Sequence, residues 1–95
     1  MLHILNKPPY SEAAQQMLST ASAGDSVLLI EDAVQAVLHS DWQGWRAVGE
    51  QIFLLKEDAA SRGLLFLAAT IGAKVVDMDG FVALTEHNTN IISWY

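Results

Sequence analysis

Cysteine is absent from the chain. Its absence excludes disulfides, thiol catalysis, persulfide carriage and cysteine-ligated metal sites. Positive charge is scarce. Lys and Arg total 5 against 11 Asp and Glu, for a formal net charge of -6. A nucleic-acid binder normally has the opposite balance, because its affinity comes mainly from neutralised phosphates. The same acidity opposes docking on an anionic membrane. A basic protein partner would suit the charge, although solubility is its commoner cause. No apolar run approaches ~18 residues, and no basic, apolar and cleavage-site leader opens the chain. The expectation is a soluble cytoplasmic protein. No glycine-rich loop follows the first strand, so the dinucleotide fingerprint and the P-loop are both missing. HExxH and G-x-S-x-G are missing too, which removes the usual marks of a zinc protease and of a hydrolase triad.

What is present is apolar residues, at 52% of 95 positions, enough for one small domain with a real core. The chain is organised around Asp25–Leu38. Val27 to Ile30 is a continuous apolar run, which suits a strand covered on both faces, as in a parallel sheet. After Glu31-Asp32 the period changes. Val34, Val37 and Leu38 recur at i, i+3 and i+4, one face of a helix. Asp32 with Gln35 three residues on has capping-box spacing. Strand, tight turn and helix make half of a βαβ unit.

The rest repeats this alternation. Met1–Leu5 reads as a first strand in a central position, stopped by Pro8 and Pro9. Ser11 can cap a helix over about Glu12–Ala21, with Tyr10, Ala14, Met17, Leu18 and Ala21 on its apolar face. Gly24 is a helix terminator. His39–Trp45 reads as a connection carrying two tryptophans. Gln51–Leu55 is a third strand, and Asp58 caps the helix after it. Arg62-Gly63-Leu64 interrupts that helix. Leu64–Ile71 is apolar enough to bury most of its surface, and Gly72 ends it. Lys74–Asp77 is a short fourth strand. A helix opens at Asp79 or Gly80 and runs to His87, with Phe81, Leu84 and Asn88 on one side. Ile91–Tyr95 is a fifth, edge strand or an extended tail. The expected fold is therefore α/β, a small mostly parallel sheet of four or five strands with helices on both faces, and one domain over residues 1–95.

Ligands of open α/β sheets sit beyond the carboxyl ends of the strands. Here those ends supply Glu31, Asp32, Glu57, Asp58, Asp77 and Asp79 against Lys7 and Lys56. Such a rim could hold a divalent metal or do acid–base work, with Asp77 and Asp79 the strongest pair. Acids are favoured at helix starts whatever the function, so capping and solvation are the preferred reading. His3, His39 and His87 lack metal-ligand spacing. His3 reads as a half-buried strand residue and His87 as a cation at a helix C-terminus. Trp94, Tyr95 and Phe81 are the candidate subunit-interface residues, since large aromatics at chain ends are enriched in interfaces. Trp94→Ala is expected to weaken assembly more than folding. Trp42 is expected to cover the core edge instead.

The order and spacing of these blocks resemble the DsrH/TusB family from end to end. The resemblance is carried by Met1-Leu2-His3-Ile4-Leu5 with Pro9-Tyr10, by Val27–Val34, and by Leu55-Lys56-Glu57-Asp58. Arg62-Gly63-Leu64, Val76–His87 and Ser93-Trp94 complete it. Its motif positions here are Asp32, Asp58, Arg62, Gly63, Asp77 and His87. The resemblance implies a non-catalytic, cofactor-free subunit that assembles with TusC-like and TusD-like chains into a dimer of heterotrimers. Such a complex passes persulfide sulfur from a TusA-like donor to a TusE-like acceptor, for 2-thiolation of the tRNA wobble uridine. The TusD-like chain holds its working cysteine. Family members from sulfur-oxidising bacteria carry a cysteine in the first helix, which by spacing falls near Met17 here. Methionine at that place makes the sulfur-oxidation branch the weaker alternative. A stand-alone homo-oligomer and a small metal-dependent enzyme using Asp77 and Asp79 are the others.

Overall fold

The computed structural model describes residues 1–95. Five strands form one parallel sheet: β1 (Leu2–Leu5), β2 (Ser26–Leu29), β3 (Ile52–Leu55), β4 (Lys74–Val76) and β5 (Ile91–Trp94), in the order β4-β3-β2-β1-β5. Apolar runs without alternation become strands buried on both sides, as β1 and β2 are throughout. The middle strand is β2. The first strand lies beside it, one place from the expected centre.

Five helices are α1 (Glu12–Thr20), α2 (Gln43–Ala47), α3 (Lys56–Ser61), α4 (Leu65–Thr70) and α5 (Met78–His87). Helix α1 begins as expected, with the Ser11 hydroxyl accepting from the Ala14 N–H at 3.2 Å. Ala14 and Met17 are its buried face, whereas Tyr10 stands out of the core. Tyr10 donates to the Asp41 carboxylate and meets the His39 ring edge-on, tying two loops together. Helix α1 ends at Thr20, and Gly24, with φ at +91°, belongs to the turn before β2 instead.

The helical segment after β2 is corrected in kind. Glu31–Leu38 winds as a 3₁₀ helix, and neither Asp32 nor any other side chain caps it. At three residues per turn, Ala33/Ala36 and Val34/Val37 each align on the core side, while Leu38 falls outside and is exposed. The Asp58 cap is corrected as well. Helix α3 starts at Lys56 without a side-chain cap. The connection His39–Trp45 contains the start of α2, a helix that sequence reading missed. Trp42 is 2% exposed and lies inside the core, beyond the edge position expected for it. A Cβ on Gly44 would meet its ring at 2.4 Å, so only glycine fits there. Gly63, at φ +69°, breaks the chain between α3 and α4 as expected. In α4 only Ala68 is buried, and Phe66 is 85% exposed, which overturns the expectation of a largely buried segment.

The two faces of the sheet are covered unequally. Leu5, Val27, Leu29, Ile52 and Leu54 meet α1, the 3₁₀ segment, Trp42, α3 and α4 in one continuous core. On the other face Leu2, Ile4 and Leu28 meet only α5, through Phe81 and Leu84. Successive strands β1 to β4 step in one direction across the sheet. The last connection returns over the full width to β5, and right-handed crossovers then place α5 alone on its side.

Candidate functional site

Beyond the carboxyl ends of β2 and β3, four of the motif positions come together. The Arg62 guanidinium donates to Asp32 at 3.1 Å and to the Asp58 carbonyl at 3.4 Å. The Asp58 carboxylate accepts the Glu31 N–H at 2.7 Å. Glu31 has φ at +50°, a left-handed backbone that a non-glycine residue rarely adopts. Asp58 thus holds the strained turn that launches the 3₁₀ segment, and Gly63 lets Arg62 end α3 facing Asp32. The Asn6 amide donates to Glu31 from the next strand end. Asp77 stands apart, accepting the Gly80 N–H at 2.9 Å as the cap of α5, which begins at Met78 rather than at Asp79 or Gly80. His87 lies in the last turn of α5, exposed. No three His, Asp or Glu side chains lie close enough together to share a metal ion. Of the rim acids, Glu31, Asp32, Asp58 and Asp77 each take a separate structural partner.

A groove of about 570 Å³ lies at the opposite end of the sheet, where β3 and β4 begin, between Trp45, Ile52, Ile71 and Ala73. That is the end away from the ligand crevice of open α/β sheets.

A buried polar network centres on a residue that sequence reading took for half-buried. His3 is fully buried. Its Nδ1 lies 3.0 Å from the Trp94 indole nitrogen, and its Nε2 lies 2.9 Å from the Asp25 carboxylate. An indole N–H can only donate, so Nδ1 accepts and the ring proton sits on Nε2, donated to Asp25. Asp25 also accepts the Ser22 N–H at 3.0 Å and faces the N-terminal ammonium at 3.3 Å. The Ser22 bond, then the His3 bond, hold its carboxyl down at about 2, against an ordinary 3.8. The signal for this network was a lone polar residue in the apolar run Leu2-His3-Ile4-Leu5. A buried imidazole demands partners. Parallel pairing supplies them, placing Trp94 beside Leu5 and the turn before β2 beside the start of β1.

Trp94 is half-buried and bonds inward to His3, so Trp94→Ala also carries a folding cost, because the truncation leaves a buried acceptor unpaired. Tyr95 is exposed beyond β5. Phe81 is half-buried under α5, in contact with the Leu2, Ile4 and Leu28 cluster. Met17 is fully buried, a packing residue of α1.

The family model described as DsrH-like protein matches residues 7–91. Among curated proteins, the chain is similar to Protein TusB of Erwinia tasmaniensis, 32% identical over 96 positions, covering 99% of this chain and 100% of that protein. Protein TusB of Escherichia fergusonii is 30% identical over 98 positions with the same coverage. Protein TusB of Shigella dysenteriae serotype 1 is 29% identical over 98 positions. With a family match over nearly its whole length and relatives of its own size, the chain belongs to the DsrH/TusB family.

Proposed function

We propose that this chain is a non-catalytic subunit of a cytoplasmic sulfur-relay complex that supports 2-thiolation of the tRNA wobble uridine. Its companions are TusC-like and TusD-like chains in a dimer of heterotrimers. Sulfur enters from a TusA-like donor and leaves to a TusE-like acceptor. The observation that carries this reading is family membership over the whole length in a chain without a single cysteine. A persulfide needs a thiol to form on, so the sulfur must travel on another subunit. The structural use of the rim acids supports the reading. Asp32 and Asp58 are engaged with Arg62 and Glu31, and Asp77 caps its own helix.

The test is deletion of the gene followed by measurement of 2-thiouridine in bulk tRNA. Loss of the modification, restored by the wild-type chain, is the expected result. Unchanged thiolation overturns the proposal. Calorimetric binding of a divalent metal, abolished by Asp77→Asn, would favour the metal-enzyme alternative.

A further inference from the structure

All-parallel sheets occur almost only where both faces are covered. Here one face carries four helices and a 3₁₀ segment, and the other carries a single helix of 10 residues. Helix α5 runs from the end of β4 back to the start of β5 and leaves its flanks open. Phe53 and Val76 on one side are only partly buried, and Ile91 on the outer strand is 44% exposed. The helix adds its own apolar stripe, Met78 at 51% and Val82 at 49% exposure, one turn apart. Its inner side cannot sink further, because a Cβ on Gly80 already would meet Val76 at 2.8 Å.

The charge of this face is mostly negative. Helix α5 bears Asp79 and Glu86, with Asp77 as its cap. The cation on the same face, Lys74, lies over the Phe53 ring at 5.5 Å from its centroid. A second copy would bring the same acids to the same stripe, in a chain of net charge -6.

We propose that the α5 face is the docking surface of this chain, and that its occupant is a protein chain whose apolar strip is flanked by lysine or arginine. The inference rests on the sulfur-relay reading in that the occupant is taken to be one of the companion subunits. Docking covers Met78, Val82 and Ile91 and completes the second layer of the sheet. The basic flanks of the partner meet Asp79 and Glu86.

The experiment co-expresses the tagged chain with the TusC-like and TusD-like chains of the same genome and measures the partner captured. Val82→Glu is expected to reduce capture at least about tenfold, as loss of a central apolar anchor does. Phe66→Glu, equally apolar in the wild type but on the other layer, leaves capture unchanged. Asp79→Lys with Glu86→Lys lowers capture, and raising salt weakens the wild-type complex. Circular dichroism confirms that each variant is folded, and Met78→Glu substitutes if Val82→Glu is not. Full capture by folded Val82→Glu, or loss with Phe66→Glu instead, overturns the docking face while the sulfur-relay reading stands. Capture insensitive to the charge reversals overturns the basic character of the occupant. A wild-type homodimer that Val82→Glu converts to monomer overturns its identity as another chain. Wild-type protein that captures neither companion removes the reading and this surface together.

Discussion

The two faces of the sheet are made from the same strands yet have different characters. On the first, 15 buried residues form one cluster that includes Trp42, and α1, the 3₁₀ segment, α3 and α4 each contribute at least one fully covered side chain. On the second, 3 buried strand residues lie under a helix that buries none of its own. Packing on the first face supplies most of the stability, because the larger buried cluster lies there. The second face is finished only enough to hold the strands, and it keeps apolar surface in reserve. A small domain can divide its sheet in this way between holding itself together and holding something else.

Unequal responses to truncation are the sharpest way to break that comparison. Trp42→Ala should cost about 3–5 kcal/mol in urea denaturation, since a buried indole leaves a cavity that neighbours cannot fill. Phe81→Ala, removing a half-buried ring, should cost about 2 kcal/mol. Equal losses would mean that α5 contributes as much to the fold as the opposite layer. Next in size is Trp94→Phe, which keeps a ring but removes the donor to His3. A loss of about 1–3 kcal/mol is expected, with the His3 ring nitrogens losing their single tautomer by NMR.

Acid should weaken the first face through Asp25. Its carboxyl titrates at about 2 in the folded chain and at an ordinary 3.8 when free. A depressed folded value stabilises above the unfolded one, so this contribution is complete above pH about 4 and fades as pH falls toward 2. Asp25→Asn should flatten the stability profile in that window, and an unchanged slope would contradict the assignment. The smallest effect belongs to Val82→Glu. Stability of the isolated chain should move by no more than about 0.5 kcal/mol, because about half of the side chain already faces solvent. A larger loss would make the α5 stripe part of the fold rather than spare surface.

The sequence carried the sheet well. Contiguous apolar runs at Val27–Ile30 and Ile52–Leu55 became strands within a residue of expectation, because a fully buried strand needs no alternation. Ser11 and Gly63 were legible for equally local reasons, a hydroxyl at a helix start and a left-handed residue at its end. The errors came where tertiary partners outbid local preference. Asp32 and Asp58 look like caps, but Arg62 and the strained Glu31 claim them. Phe66 sits in an apolar string, yet it lies two positions from the buried Ala68, about 200° round the helix, and so points the other way. The His3–Asp25–Trp94 network joins residues 22 and 91 positions apart, a distance that no local pattern spans. Of the candidate interface positions, the sequence marked the aromatics. It could not show that Trp94 is engaged inward, or that the open stripe is made of Met78 and Val82.

The 3₁₀ segment has a mechanical consequence. Its 8 residues advance about 2.0 Å each, near 16 Å in all, whereas α winding at 1.5 Å would reach only about 12 Å. Its near end is pinned where Asp58 grips Glu31, and its far end by the Trp45 indole bonded to the Ala36 and His39 carbonyls. A strut fixed at both ends takes its winding from the gap it must bridge. Deleting one residue between Ala33 and Val37 would therefore strain both anchors at once, and ordinary α winding would bridge the same gap only with about three residues added.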